Sequence, residues 1–116
     1  MRMLLLAAFV ALPAHAHAEQ CWIEVARQDA LVLVEAFVDP DAWSRGQYSL
    51  RVDLTANGNR STSLQSGDFT VRGMAVSPLS RMQLYSGNAA ELNVRLTVSD
   101  ATGRSCEDEI VQPVSK

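Results

Sequence analysis

Two stretches of the chain alternate apolar and polar residues with a period of two. Gln47 to Thr55 sets Tyr48, Leu50, Val52 and Leu54 against Gln47, Ser49, Arg51, Asp53 and Thr55, and Glu91 to Val98 sets Leu92, Val94, Leu96 and Val98 against Glu91, Asn93, Arg95 and Thr97. That period belongs to a strand with one buried and one wet face. Leu31 to Val38 (LVLVEAFV) is almost continuously apolar and predicts a central strand covered on both sides. Cys21 to Arg27, Arg60 to Leu64, Phe69 to Arg72, Leu79 to Tyr85 and Arg104 to Val111 are weaker strand candidates. Turn residues fall between the runs, at Asp39-Pro40-Asp41, Arg45-Gly46, Asn57-Gly58-Asn59, Ser66-Gly67-Asp68, Gly73, Ser77-Pro78, Ser86-Gly87-Asn88 and Asp100 to Gly103. The pattern predicts an all-β domain, an immunoglobulin-like antiparallel sandwich of seven or eight short strands. A closed barrel is the main rival, and no stretch leaves room for a helix of any length.

The amino-terminal residues read differently. Arg2, the apolar run Leu4 to Leu12 and the small residues of Ala16-His17-Ala18 predict that residues 1–18 are a cleaved secretory signal, leaving one domain of residues 19–116. The run is too short to cross a bilayer as a helix, so an exported domain without membrane insertion is expected. Cleavage removes both histidines, His15 and His17, and leaves Lys116 as the sole lysine. Nucleophile–imidazole pairs, imidazole metal ligands and an interior Schiff-base lysine are thereby excluded from the mature chain. Asp39 with Asp41 and Glu107 with Glu109 remain as carboxylate pairs. One falls in a proline turn and the other in a polar strand, where a pocket that raises a carboxyl pKa is not expected. The reading is therefore a non-enzyme with no cofactor and no metal.

Charge adds a polarity. The mature chain carries 9 basic against 13 acidic residues, and its arginines concentrate between Trp43 and Ser105. The net negative charge and the lack of an aromatic-interleaved basic stripe make nucleic acid a poor partner. Arg51 and Arg95 occupy the outward positions of the two best-patterned strands. They are read either as a solvated face paired with Asp53 and Glu91, or as a positive surface that meets an acidic client. Trp22 and Trp43 are read as core or edge packing rather than binding platforms. Cys21 and Cys106 bracket the mature domain, and in an exported chain such a pair predicts a disulfide. Gln47 to Thr55, Glu91 to Val98 and Arg104 to Val111 are expected in one sheet, with the first strand running beside the last so that the cysteines meet.

The strand Tyr48-Ser49-Leu50-Arg51-Val52, the segment Leu64-Gln65-Ser66-Gly67-Asp68-Phe69-Thr70-Val71 and the strand from Ala90 to Gly103 closing on Asp-x-x-Gly resemble the CsgH proteins, members of the CsgC-like family of curli assembly chaperones. The resemblance covers roughly Gln47 to Cys106. It implies an immunoglobulin-like sandwich in the periplasm that inhibits amyloid nucleation of the curli major subunit, with that unfolded subunit as partner. The chain lacks the Cys-x-Cys pair of the CsgC branch, so no redox role transfers. Arg51 and Arg95 are the client-binding candidates by face and charge, not by the resemblance. A monomer is expected. The alternatives are a structural or adhesive sandwich module of a surface assembly and an exported inhibitor of a folded enzyme.

Overall fold

The computed structural model describes residues 20–87 and 91–113, so the expected signal segment lies outside the described residues. Seven strands follow in order: β1 (Cys21–Gln28), β2 (Leu31–Val38), β3 (Arg45–Ala56), β4 (Asn59–Thr70), β5 (Ser80–Tyr85), β6 (Glu91–Ser99) and β7 (Ser105–Pro113). They form two antiparallel sheets, one of three strands in the order β1-β2-β5 and one of four in the order β4-β3-β6-β7. The domain is thus a sandwich, and the barrel alternative falls. No helix occurs among the described residues.

Alternation places the core. Leu50, Val52 and Leu54 of β3 lie in register with Leu96, Val94 and Leu92 of β6, and all six are buried. They face Val32, Val34 and Ala36 of β2, Ile23 of β1 and Met82 of β5 across the sandwich. Each large aliphatic side chain removed from water in this way contributes about 1.5–3 kcal/mol before the entropy of ordering is counted.

Three expectations change on contact with the structure. The apolar run of β2 is covered on one side only: Val32, Val34 and Ala36 are inward, while Leu31 on the outer face remains exposed and Phe37 is shielded by the stacked ring of Trp22, 5.4 Å away. Ser66-Gly67-Asp68 is not a turn. It runs through the middle of β4, paired with Ser49, Tyr48 and Gln47, so the two weak candidates Arg60 to Leu64 and Phe69 to Arg72 merge into one strand of 12 residues. The cause is the turn at Asn57-Gly58, whose positive φ values (52° and 83°) suit a two-residue hairpin of the twist-matched type; once that turn sets the register, the long β3 templates β4 regardless of β4's low strand propensity. Arg45-Gly46 is likewise strand rather than turn. A Cβ on Gly46 would run into the Ser99 carbonyl oxygen and the Phe69 ring, so the glycine serves close approach of backbones.

The third change concerns the termini. β3, β6 and β7 are neighbours in one sheet as expected, but β1 belongs to the opposite sheet and meets β7 across the sandwich edge. The disulfide Cys21–Cys106 spans that edge with Cα atoms 6.2 Å apart. Beside it the Ile23 amide donates to Asp108 Oδ2 at 3.0 Å, which supplies a partner for an edge amide of β1.

Candidate functional site

The outer face of the four-stranded sheet is set by the odd-numbered residues of β3. Arg51 lies directly opposite Arg95 on β6, and the same cross-strand row continues to Leu64 on β4 and Glu109 on β7. The sequence placed both arginines on the wet face; the structure makes them cross-strand neighbours. Their side chains are 49% and 59% exposed. Like charges directly opposite on adjacent strands destabilise a sheet, and here each is balanced by a carboxylate. Arg51 Nε donates to Asp53 Oδ2 at 3.2 Å, whereas Arg95 Nη2 approaches Glu109 Oε1 at 3.9 Å. The partner of Arg95 is therefore Glu109 across the strand pair rather than Glu91.

Asp53 anchors this arrangement. The Thr62 hydroxyl donates to its other oxygen, Oδ1, at 2.5 Å. Its pKa lies below the ordinary value of 3.8, held down first by that hydroxyl, then by the hydrogen bond and charge of Arg51 and by the charge of Arg60, with partial burial opposing. The guanidinium of Arg51 is thus oriented by a fixed anion, while that of Arg95 is held more loosely.

The face as a whole carries mixed charge. Asp53, Asp68, Glu91, Glu107 and Glu109 share it with Arg45, Arg51, Arg60 and Arg95, so the face is not positive as a whole, and the Arg51–Arg95 pair is where two arginines stand directly opposite each other. Next to the pair, the small side chains of Ser49, Ser66 and Thr97 together with Gly67 leave a shallow open depression of about 400 Å³. Leu64, 66% exposed, borders the pair on the β4 side. Leu64 and the depression were not anticipated. The parity of β4 relative to β3 would have revealed both, but that parity requires the register fixed at Asn57-Gly58.

The remaining candidates lie elsewhere. Asp39 accepts from the Asp41 amide at 2.9 Å in the turn that leads to Trp43, and Glu107 and Glu109 project from the open face of β7 with Asp108 pointing inward between them. Neither pair lines a closed cleft. No group of three His, Cys, Asp or Glu side chains placed to hold a metal ion occurs among the described residues. Trp43 is buried, edge-on to Phe69 and covered by the Arg104 guanidinium at 3.9 Å from its ring centroid, while the same guanidinium donates to the Ala42 carbonyl. Trp22 stacks on Phe37. Both tryptophans are packing residues. Asp100 organises the β6–β7 hairpin: it accepts from the Thr102 hydroxyl at 2.7 Å and from the amides of Thr102 and Arg104, contacts that lower its pKa, the hydroxyl foremost.

No protein-family model matches the chain, and a comparison with curated proteins also finds no match. Among solved structures, the chain is similar to the solution structure of CsgH from R. palustris, with 26% sequence identity, a TM-score of 0.58, and coverage of 76% of this chain and 88% of that one. The fold is thus CsgH-like, in agreement with the resemblance carried by the β3, β4 and β6 segments.

Proposed function

We propose that the chain is a periplasmic chaperone that binds the unfolded curli major subunit and delays its amyloid nucleation, acting as a binding protein rather than an enzyme. The observation that carries the reading is the CsgH-like fold over three quarters of the chain. The Cys21–Cys106 disulfide supports it, since such bonds persist in oxidising compartments. The Arg51–Arg95 pair supplies a surface suited to this role, because two planar, permanently charged forks can hold carboxylates or peptide carbonyls of an extended client without selecting one sequence.

A dye-binding fibrillation time course of the curli subunit tests the proposal, with the wild-type domain, Arg51→Gln, Arg95→Gln and the double variant at two salt concentrations. The wild type is expected to lengthen the lag well below equimolar ratio, because a nucleation inhibitor need occupy only rare early species. The effect should weaken with salt, since exposed charges are screened over roughly 8–10 Å at physiological ionic strength. Each lost exposed contact is worth about 0.2–1 kcal/mol, so the double variant should need about two- to thirtyfold more protein for the same delay. Absence of any delay at equimolar ratio would sink the chaperone reading. Undiminished inhibition by the double variant would sink only the choice of surface.

A further inference from the structure

Four strands end the two sheets, and three of them are protected against pairing with another chain. β1 is tied to β7 by the disulfide and has its Ile23 amide taken by Asp108. β7 carries Glu107, Asp108 and Glu109 and ends on Pro113. β5 is only six residues long, with Arg81 next to its start and the Ser80 hydroxyl bonded to Gln65. Short edges, charges and covering contacts are the usual means of blocking edge-to-edge association. β4 is neither short nor charged along its centre; its Gln65 side chain accepts from Ser80, and no strand pairs with its outer edge among the described residues. It is 12 residues long, and from Ser61 to Gly67 it contains neither a charge nor a proline.

The charges that do occur on β4 are arranged symmetrically. Arg60 and Asp68 lie four residues to either side of Leu64, and all three sit on the outer face because they pair with Thr55, Gln47 and Arg51 of β3. All three are exposed, and neither Arg60 nor Asp68 makes an ion pair within 4.0 Å among the described residues. An antiparallel pairing of β4 with the same strand of a second copy, with the twofold axis at Leu64, sets Arg60 opposite the partner's Asp68 and Asp68 opposite the partner's Arg60. Thr62 then faces the partner's Ser66, Ser63 faces the partner's Gln65, and Leu64 meets the partner's Leu64. From Arg60 to Asp68 the cross-strand pairs are opposite in charge, polar with polar or small, or apolar with apolar, the combinations that stabilise neighbouring strands; beyond them Asn59 would face the partner's Phe69. A twofold contact requires such self-complementarity.

We propose that the domain forms a twofold dimer through β4, joining two four-stranded sheets into one of eight strands, in place of the expected monomer. The contact buries Leu64 and removes the one unguarded edge. It also aligns the arginine pairs of both copies on one face, in the row Arg95, Arg51, Leu64 and its symmetry mate, with about 4.8 Å between strands. A single strand pair lies below the area of standard stable interfaces, so the dimer should be weak, with a Kd on the order of 10 μM to 1 mM.

Sedimentation equilibrium of the exported, disulfide-bonded domain from ~10 μM to ~1 mM, the range bracketing that Kd, tests the proposal. The average mass should rise toward that of a dimer. Arg60→Asp or Asp68→Arg alone converts two attractive pairs into two repulsive ones and should raise Kd about tenfold or more. The double variant Arg60→Asp with Asp68→Arg restores opposite charges and should recover the wild-type value. Mixing the two single variants should give heterodimers that neither forms alone. Circular dichroism of each variant confirms the fold, and the mixing result does not depend on small stability losses. A domain that remains monomeric to ~1 mM overturns the proposal, and that is also the outcome if β4 accepts only an unrelated extended peptide. A dimer indifferent to the single reversals overturns it equally. Neither result touches the chaperone reading, which is measured by fibrillation lag.

Discussion

Removing the Cys21–Cys106 bridge by a Cys21→Ala, Cys106→Ala double substitution should be the most damaging change that leaves the aliphatic core intact. The cysteines are 85 positions apart, and closing a loop of that length removes about 4.5 kcal/mol of chain entropy from the unfolded state at 25 °C. Native small domains are stable by only about 5–15 kcal/mol. Cys21 is fully buried, so its truncated side chain also leaves a small packing deficit. The bridge fastens β1 to β7 at an edge where no sheet hydrogen bonds join them. Its loss should therefore be felt first as detachment of β1, where the Ile23–Asp108 bond would remain beside the lost bridge. Urea unfolding followed by the fluorescence of buried Trp43 reads the effect; with m near 1–2 kcal/mol/M, the midpoint should fall by roughly 2–4 M. Hydrogen exchange should show β1 amides losing protection ahead of β6. A midpoint within about 0.5 M of the oxidised wild type would refute the reasoning, because it would mean that the unfolded chain is not the expanded ensemble on which the entropy rests.

Two further predictions follow from the packing and the charges. Leu96→Ala removes a fully buried side chain at the centre of β6 and should cost about 2–5 kcal/mol in denaturant titration, with the sheet spectrum retained in the surviving folded fraction. Asp53 has a depressed pKa in the folded state, so its contribution is present above the unfolded pKa of about 3.9 and is lost as pH falls through the lower folded value. Thr62→Val removes the foremost cause of that depression, so the stability advantage of wild type over this variant should be present near pH 6 and shrink below about pH 4.

The parts of the fold legible in the sequence are those in which side-chain burial dictates conformation. β3 and β6 alternate because one face packs and the other is wet, and their inward residues are the core. The cysteine pairing was legible because two cysteines bracket an expected exported domain, where an even pair is most simply a disulfide. β4 was legible only as two weak fragments, Arg60 to Leu64 and Phe69 to Arg72, and the reason is physical: Phe69 is the one large apolar side chain among its inward positions, while Ser61, Ser63, Gln65 and Gly67 are polar or small and mark no continuous strand. The neighbouring β3 and a two-residue turn set its register, with the Ser80–Gln65 bond and the Phe69–Trp43 contact fastening it to the rest of the sandwich. The same absence hid the cross-strand relation of Leu64 to Arg51 and the partner of Arg95, since register is a property of two strands and a pattern along one strand does not encode it. The outer exposure of β2 was missed for the opposite reason, because an apolar run signals burial without saying on how many sides.

The opposition of Arg51 and Arg95 changes which substitution is informative. Reversal of both to glutamate is the natural first choice from the sequence, where each is a surface charge on a strand of its own and surface substitutions usually change stability little. In the structure those glutamates would stand beside each other, next to Asp53 and Glu109, and four carboxylates would share one patch of sheet. Lost inhibition would then mix lost binding with local repulsion and the release of Asp53 from its arginine. Glutamine removes the charge while retaining length and hydrogen-bonding capacity, so it isolates the electrostatic contribution. On the proposed chaperone reading, the same geometry would suit a transient client. The two guanidiniums repel one another across the strand pair, and the 3.9 Å contact with Glu109 offsets the charge of Arg95 only loosely. An incoming carboxylate placed over the pair relieves that repulsion without displacing a buried ion pair. Contacts of this kind form and break quickly and are screened by salt, as the proposed role of meeting many early species and retaining none would require.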